Sequence, residues 1–178
     1  FQVILDTFRD SRSGYMFVTN PLGAKLEQQV FEEGDGGGRG STSNVNLNWN
    51  GVWHAAARRT AEGWDAEMAI PLVTLRFPVA ERQRWGVNFM RNIRRKNEQV
   101  FWAPIPKAYS ITRVSLAGTA SGMTSLDRAL DLRIKPFLLA GGQRNRVGPL
   151  VADKGLRDAG LDIKYGLGSS LNLDLTLN

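Results

Sequence analysis

The feature that most limits how this chain can fold is a two-residue alternation of apolar and polar side chains. It is clearest in residues 84–104 (RWGVNFMRNIRRKNEQVFWAP), where Trp85, Val87 and Phe89 fall on one side of an extended chain. A period of two with aromatic and β-branched members is typical of a β-strand. The polar run at residues 94–97 predicts a turn, and alternation resumes after it. The stretch therefore predicts a β-hairpin.

Arg91 shares the parity of Phe89 and the other large apolar side chains of this strand. The alternation therefore predicts a buried guanidinium. An unpaired buried charge costs several kcal/mol, so such a group needs a carboxylate partner. Glu98 on the return strand and Glu67 upstream are the nearest candidates.

The same alternation recurs along the chain up to residue 117. The segments that predict strands are 1–5, 15–20, 25–31, 45–50, 53–59, 64–70 and 110–116. No segment keeps an apolar period of 3.6 residues beyond one short turn at 72–77, so the fold class is all-β. Residues 32–44 include GDGGGRGSTS and predict a mobile loop. A phosphate-binding loop would need a GK[ST] ending and a following helix, and the sequence has neither.

The sequence changes character near residue 118. Residues 118–125 (GTASGMTS) indicate a boundary, and residues 141–159 predict a long polar loop. Residues 161–167 (LDIKYGL) and 171–177 (LNLDLTL) alternate strictly between apolar and polar or small side chains. Such strands occur in membrane barrels, with one face toward lipid, and equally in soluble sheets with one exposed face. The pattern alone leaves both interpretations open.

Composition excludes several classes of site. The chain has no Cys, which excludes disulfides, thiolate zinc sites and thiol nucleophiles, and its single His excludes a His-cluster metal site. The net charge of +6 is spread along the chain rather than gathered in a basic arm. No run of 18 apolar residues predicts a transmembrane helix. Because the sequence begins and ends within strand-like segments, we expect an internal fragment of a longer protein.

Four segments in this order resemble a known family: LDTFRDSRSGYMFVTNPLG, WNGVWHAA, GWDAEMAIPLVTLRF and WGVNFMRNIRRKNEQVFWAP. They are similar to the carbohydrate-binding family-nine-like (DOMON-like) β-sandwich of bacterial envelope proteins. In that family the sandwich precedes a region similar to an outer-membrane β-barrel. LRIKPFLLAGG and DAGLDIKYGLGSSLNLDLTLN are similar to the opening of that region.

The resemblance implies an antiparallel β-sandwich of jelly-roll or immunoglobulin-like type over residues 1–117. It implies a linker at 118–128 and the first strands of a transmembrane-type β-barrel over 129–178. It further implies a Gram-negative outer membrane or periplasm, with the last strands contacting outer-membrane lipid. The implied function is a non-catalytic binding module for a saccharide or another polar ligand. An envelope hydrolase of glycoside type and a structural cap or plug of the barrel remain alternatives.

Two tryptophans are candidates for a stacking platform that binds a sugar ring. Trp53 has small neighbours at Ala55 and Ala57, and Trp102 lies where a strand leaves the sheet. Core packing is the alternative for both. The parity of the remaining tryptophans predicts that they belong to the core; they are Trp49, Trp64 and Trp85.

The polar candidates for ligand binding are Asn88, Arg94, Glu67 and Glu98. Amide, guanidinium and carboxylate groups can each bond sugar hydroxyls. The alternative is a cross-strand network that holds the register of the sheet. A glycosidase would need the two glutamates to converge as a carboxylate pair.

A calcium ion is the one cofactor that the sequence suggests. Asp6, Asp10 and Asp35 could supply its oxygen ligands, although their spacing is not that of an EF-hand. No other metal or cofactor is expected. The hairpin also mixes Arg94–Lys96 with Phe101 and Trp102, a composition that suits single-stranded nucleic acid. In an envelope protein we expect no nucleic-acid partner.

Overall fold

A computed structural model of the chain describes residues 1–34, 44–126, 132–147, 150–167 and 171–177. The predicted loop at 32–44 lies mostly outside these residues. The chain divides into two compact units, Phe1–Ala129 and Leu130–Asn178. Within the described residues no helix is long and apolar enough to cross a membrane.

The described residues form an all-β chain with antiparallel pairing throughout, as the alternation predicts. Their strands are β1 Gln2–Asp6, β2 Gly14–Thr19, β3 Lys25–Val30, β4 Val45–Asn46, β5 His54–Arg59, β6 Trp64–Ala69, β7 Arg82–Ile93, β8 Glu98–Phe101, β9 Gly118–Thr124, β10 Leu132–Val147, β11 Leu150–Leu167 and β12 Leu171–Leu177. Short 3₁₀ turns occur at Glu32–Gly34, Leu72–Thr74, Arg94–Lys96 and Val114–Leu116.

The main sheet of the first unit is organised around β7, its longest strand. The strand order is β4-β3-β2-β1-β7-β8, and β9 also pairs with β7. One edge of β7 pairs with β1, for example at Phe89 with Val3. The other edge pairs first with β9 and then with β8. Because β7 has twelve residues, it can hold three partners at once.

One face of this sheet packs against the β5–β6 hairpin. Tyr15, Phe17 and Trp85 of the sheet form a buried cluster with Trp53 and Phe77, and β5 and β6 add partly buried apolar side chains to it. Aromatic side chains dominate the cluster, and each one removes a large apolar area from water. Two antiparallel sheets that face each other across such a core form a sandwich-like arrangement.

The opposite face of the main sheet is covered by an irregular segment. Ile4, Met16 and Met90 of the sheet pack with Ile111 and Val114. The strand predicted at 110–116 is therefore wrong. Its backbone groups bond locally instead, with the Arg113 N–H donating to the Ser110 carbonyl at 3.1 Å. Ile111 and Val114 lie three residues apart in these turns and so reach the same buried face.

The hairpin predicted at residues 84–104 is confirmed. After β7 the chain makes a 3₁₀ turn at Arg94–Lys96 and then passes through Asn97, whose φ is +53°. The Asn97 N–H donates to the Arg94 carbonyl at 3.1 Å. Asn adopts this left-handed conformation more easily than most residues, and here it sends the chain back into β8.

The linker predicted at 118–128 differs from the structure. Residues 118–124 form β9, which belongs to the main sheet, and the first compact unit extends to Ala129. The small size of Gly118 has a packing reason. A Cβ at Gly118 would lie 2.3 Å from the ring of Trp102, so a larger residue there would force that ring to move.

The second unit is a three-stranded sheet in which β11 lies between β10 and β12. Residues 141–159, which predict a loop, instead fall mostly within β10 and β11. These strands pair from Leu132 with Tyr165 to Val147 with Leu150. The prediction of a loop is wrong because it relied on alternation, which is weak in this part of the two strands. Here two glycines, Gly142 and Gly155, pair with each other.

Register gives the second sheet one apolar and one polar face along much of β12. The first face carries cross-strand rows such as Ile134, Ile163 and Leu175, and the adjacent row on the other face is Lys135, Asp162 and Thr176. The Thr176 hydroxyl donates to the Asp162 carboxylate at 3.0 Å. Side chains of the apolar face are largely exposed; they include Leu132, Ile134, Leu138, Leu171, Leu173, Leu175 and Leu177.

Candidate functional site

The end of the β7–β8 hairpin forms a cleft of about 570 Å³, which we call the hairpin cleft. This volume is within the usual range for small-molecule sites, roughly 300–1,000 Å³. Two residues that the sequence singled out, Arg94 and Glu98, line it. The lining residues are Asn92, Arg94, Asn97, Glu98, Gln99, Phe101, Ile105, Lys107 and Tyr109.

The hairpin itself positions one wall of the cleft. Pairing of Ile93 with Glu98 and of Asn92 with Gln99 fixes the strands on both sides of the turn. The carboxylate of Glu98 lies 3.8 Å from the Lys96 ammonium, and both side chains are about half exposed. An exposed pair of this kind contributes about 0–1 kcal/mol. Glu98 is therefore free to accept a hydrogen bond from a ligand.

The other wall comes from the segment that follows β8. Tyr109 ends a turn in which its N–H donates to the Pro106 carbonyl at 2.9 Å. The guanidinium of Arg113 lies 4.3 Å from the centre of the Tyr109 ring and covers one ring face. Arg113 is held in turn by Glu33, at 3.1 Å, and the Glu33 carboxylate also accepts the Ser115 N–H. The tyrosine ring is thus fixed from behind, which favours a preformed site.

Asn88 does not line the cleft, although the sequence made it a candidate. Its side chain is buried and all of its bonding groups are directed at backbone. The Asn88 amide nitrogen donates to the Ala103 carbonyl at 3.1 Å, and its oxygen accepts the N–H groups of Ala103 at 2.8 Å and Phe89 at 2.9 Å. Asn88 therefore anchors the chain that leaves β8, and its burial keeps it away from the hairpin cleft.

The prediction that Trp53 forms an exposed stacking platform is wrong. Trp53 is 1% exposed, packs edge-on against Phe17, and donates its indole N–H to Glu27 at 2.9 Å. Small neighbours at Ala55 and Ala57 do not open its face because the main sheet covers it. Trp49 and Trp85 belong to the same core, as their parity predicts, and Trp64 is partly buried.

Trp102 is 60% exposed, as a binding platform requires. It packs edge-on against Phe89, with ring centres 5.8 Å apart, and lies over Gly118. It is not among the residues that line the hairpin cleft. The structure therefore does not join Trp53 and Trp102 in one platform.

The two glutamates of a possible glycosidase pair lie on different sheets. Glu67 is exposed on β6 opposite Ala56, whereas Glu98 begins β8 and lines the cleft. The expected burial of Arg91 is also wrong. Arg91 is exposed and lies opposite Val100, itself 51% exposed, because the cover over this face of β7 ends before the hairpin turn. No buried pair with Glu98 or Glu67 is needed.

The carboxylates proposed for calcium are bonded within their own loop. Asp6 accepts the Ser11 N–H at 2.9 Å, and Asp10 accepts the N–H groups of Arg12 and Ser13 at 2.8 Å. Burial raises the pKa of Asp6 above its usual value. Burial acts in the same direction on Asp10, but hydrogen bonds from Ser13 and Arg12 outweigh it and lower its pKa.

The third candidate ligand, Asp35, lies outside the described residues. Within those residues, no group of three His, Cys, Asp or Glu side chains is placed to hold a metal ion. Calcium binding stays a prediction from the sequence.

Sequence reasoning missed most of the cleft. Asn97 lies in the predicted turn and Asn92 and Gln99 lie on either side of it, so the density of amides there was an available signal. Lys107 and Tyr109 offered no such signal, since they reach the cleft from a segment without regular structure. Strand parity assigns residues to faces, but it cannot place an irregular segment beside a hairpin.

Comparisons with known proteins give no relative: no family model matches the sequence, and no curated protein or solved structure is similar enough to count as a match. The resemblance to a carbohydrate-binding sandwich stays a prediction, and functional argument depends on the site itself.

Proposed function

We propose that the first unit is a non-catalytic module that binds a saccharide or another polar ligand in the hairpin cleft. The observation that carries the proposal is the convergence of Arg94 and Glu98 with three side-chain amides and a tyrosine around one cavity. Such groups donate and accept hydrogen bonds in several directions, as a ligand rich in hydroxyl groups requires.

Apolar side chains complete the chemistry of the cleft. Phe101 and Ile105 line it beside the polar groups. A sugar ring presents C–H groups on its faces and hydroxyls at its rim, so a site of this mixed kind suits it. Small-molecule sites usually combine an apolar lining with a few polar groups, and this cleft contains both kinds of side chain.

Binding is better supported than hydrolysis. Among the described lining residues, Glu98 is the only carboxylate. Most glycosidases use two carboxyl groups on either side of the scissile bond. Glu67, the second acid of the hydrolase alternative, is on the β5–β6 hairpin and does not reach the cleft.

A glycan array tests the proposal with the whole chain kept in a mild non-ionic detergent. We expect the unmodified chain to bind a subset of glycans, and Arg94→Ala and Glu98→Ala to reduce that signal at least about tenfold, or about 1.4 kcal/mol. Glu67→Ala is the matched control, because it removes an exposed carboxylate outside the cleft. Absence of any glycan binding would overturn the proposal and favour a structural cap.

We also propose a second role, lipid contact by the second unit as the first strands of an outer-membrane barrel in a Gram-negative envelope. Support comes from the exposed apolar face, which includes Leu138 at 83% and Leu171 at 64%. β12 carries this face along all of its seven residues. That is most of the roughly nine to eleven residues that a tilted transmembrane strand needs.

Cell fractionation tests this second role in the full gene product. We expect it in the outer-membrane fraction, resistant to extraction by high salt and alkaline carbonate. A control is a soluble periplasmic protein followed in the same fractions. Recovery of the full product in the soluble periplasm would contradict lipid contact.

A further inference from the structure

We infer that the ligand of the hairpin cleft is an acidic saccharide, one whose sugar rings carry carboxylate or sulfate groups. This inference rests on the proposed function and narrows it. It comes from the balance of charge around the cleft and from two of its cations, which form no ion pair among the residues that the structure describes.

Cations outnumber acids at this end of the first unit. Arg94 and Lys107 line the cleft. Lys96 lies beside Glu98, which is the only carboxylate among the described lining residues. The positive charge of Lys96 balances the negative charge of Glu98. The positive charges of Arg94 and Lys107 therefore give the cleft a net positive charge. A cleft with an excess of one charge raises the local concentration of oppositely charged ligands.

Within the described part of the chain, the ion pairs do not include Arg94 or Lys107. Only some other cations of the described first unit form ion pairs, among them Arg12 with Glu32, Arg58 with Asp65, Arg113 with Glu33 and Lys96 with Glu98. Two unengaged cations that face one cavity are suited to an anion. The planar guanidinium of Arg94 can bind a carboxylate or sulfate through two parallel hydrogen bonds.

The remaining lining residues indicate a saccharide rather than a small inorganic anion. Asn92, Asn97 and Gln99 offer amide donors and acceptors, and Tyr109 offers a hydroxyl. A small anion would leave these groups and the ring of Phe101 unused. A sugar acid uses both sets, since its hydroxyls bond the amides while its anionic group meets Arg94 or Lys107.

The test uses three trisaccharides of similar size: a galacturonate trimer, its methyl ester, and a sulfated galactose trimer. The ester removes the charge of the acid with little change in shape. Isothermal titration with the whole chain in non-ionic detergent is expected to show the galacturonate trimer binding at least about tenfold more tightly than its ester. The difference is expected to shrink as salt rises from 20 to 300 mM, values chosen to shorten the screening length to below about 10 Å.

Variants assign the effect to the cleft. Arg94→Gln and Lys107→Gln are expected to reduce the preference for acid over ester, whereas Arg84→Gln, an exposed cation of β7 outside the cleft, leaves it unchanged. A preference for only the sulfated trimer supports the inference with sulfate as the source of charge. Equal binding of charged and neutral trimers overturns it, as does a failure of all three when the array shows other glycans. If the array shows none, the proposed function falls as well.

Discussion

The main sheet of the first unit and the sheet of the second unit differ in how they bury their apolar side chains. In the main sheet of the first unit, neighbouring residues such as Val3 and Ile4 are both buried, one on each face. In the second unit, β12 alternates strictly, and its leucines are about half exposed or more. The sequences differ accordingly: β1 and β2 are nearly continuous apolar runs, whereas β12 reads LNLDLTL. Continuous runs indicate burial on both faces, and alternation indicates one polar face.

The two units therefore differ in what covers their apolar faces. The first unit supplies its own cover, with the β5–β6 hairpin on one face and the segment around Ile111 on the other. The apolar face of the second unit retains large exposed side chains. We propose that lipid covers this face.

The largest effect is expected from the core of the first unit. Trp53→Ala should lower the free energy of unfolding by about 3–5 kcal/mol, because it empties a buried aromatic site. Urea denaturation followed by tryptophan fluorescence measures this, since all five tryptophans lie in the first unit. Trp102→Ala is the control at an exposed tryptophan, with an expected loss of about 1 kcal/mol or less. Equal losses would break the contrast between core and surface.

The next effect concerns the apolar face of the second unit. Leu175→Arg places a charge on that face and should weaken association with lipid vesicles by about 2–4 kcal/mol if the residue reaches the bilayer midplane. Flotation with vesicles of bacterial lipids measures the bound fraction. Thr176→Arg is the matched control, because Thr176 lies on the opposite face beside Asp162. Similar binding by both variants would contradict a lipid-facing side.

A smaller effect is expected at Asn88, which tests whether its role is structural. Asn88→Ala leaves the Ala103 backbone groups without partners and should cost about 1–3 kcal/mol. Hydrogen exchange at the Ala103 amide should become faster in the same variant. Asn92→Ala, at an exposed cleft residue, should leave both quantities nearly unchanged. A loss of glycan binding in Asn88→Ala without loss of stability would show that the residue contacts ligand.

The smallest effect is a dependence of the first unit's stability on pH. Burial raises the pKa of Asp6, so the folded state holds this proton more tightly than the unfolded state. Its contribution is complete below the usual pKa near 3.8 and is lost as pH rises through the raised folded value. Between pH 4 and 7, Asp6→Asn should therefore lose less stability than the unmodified chain as the pH increases.

Asp10 is an internal control, because its effect on the pH dependence of stability has the opposite sign to that of Asp6. The pKa of Asp10 is lowered, so its contribution is present above the usual value and is lost as pH falls through the folded value. Asp10→Asn should lose less stability than the unmodified chain on acidification. Urea midpoints collected across the pH range measure both variants, and identical slopes for the two would refute the assignment.

Local periodicity predicted the fold class and the central hairpin, because both depend on residues close in sequence. It failed where the structure of a segment depends on packing against residues that are distant in sequence. The sequence predicts that Gly118 belongs to a linker. In the structure it lies in β9, and its lack of a side chain makes room for the Trp102 ring above it. Ile111 and Val114 read as a strand, yet they cover the sheet from within turns.

The candidate site was predicted in part for the same reason. Arg94 and Glu98 flank a turn that the sequence shows, and they line the cleft together. The alternation pattern assigned Arg91 and Trp53 to one face of a strand each. It could not predict how far other segments of the chain cover those faces. Arg91 is exposed beyond that cover, and Trp53 is buried beneath it.

Hydrogen exchange measured with and without a bound glycan shows directly whether the hairpin cleft is the ligand site. The probe is the glycan that gives the strongest array signal, added at saturation to the whole chain. We expect slower exchange at the amides of residues 97–99 and 107–109, on the two walls of the hairpin cleft, and no change in the β5–β6 hairpin. Protection confined to β5–β6 or to the surface around Trp102, with the cleft unchanged, would show that the glycan binds outside the hairpin cleft.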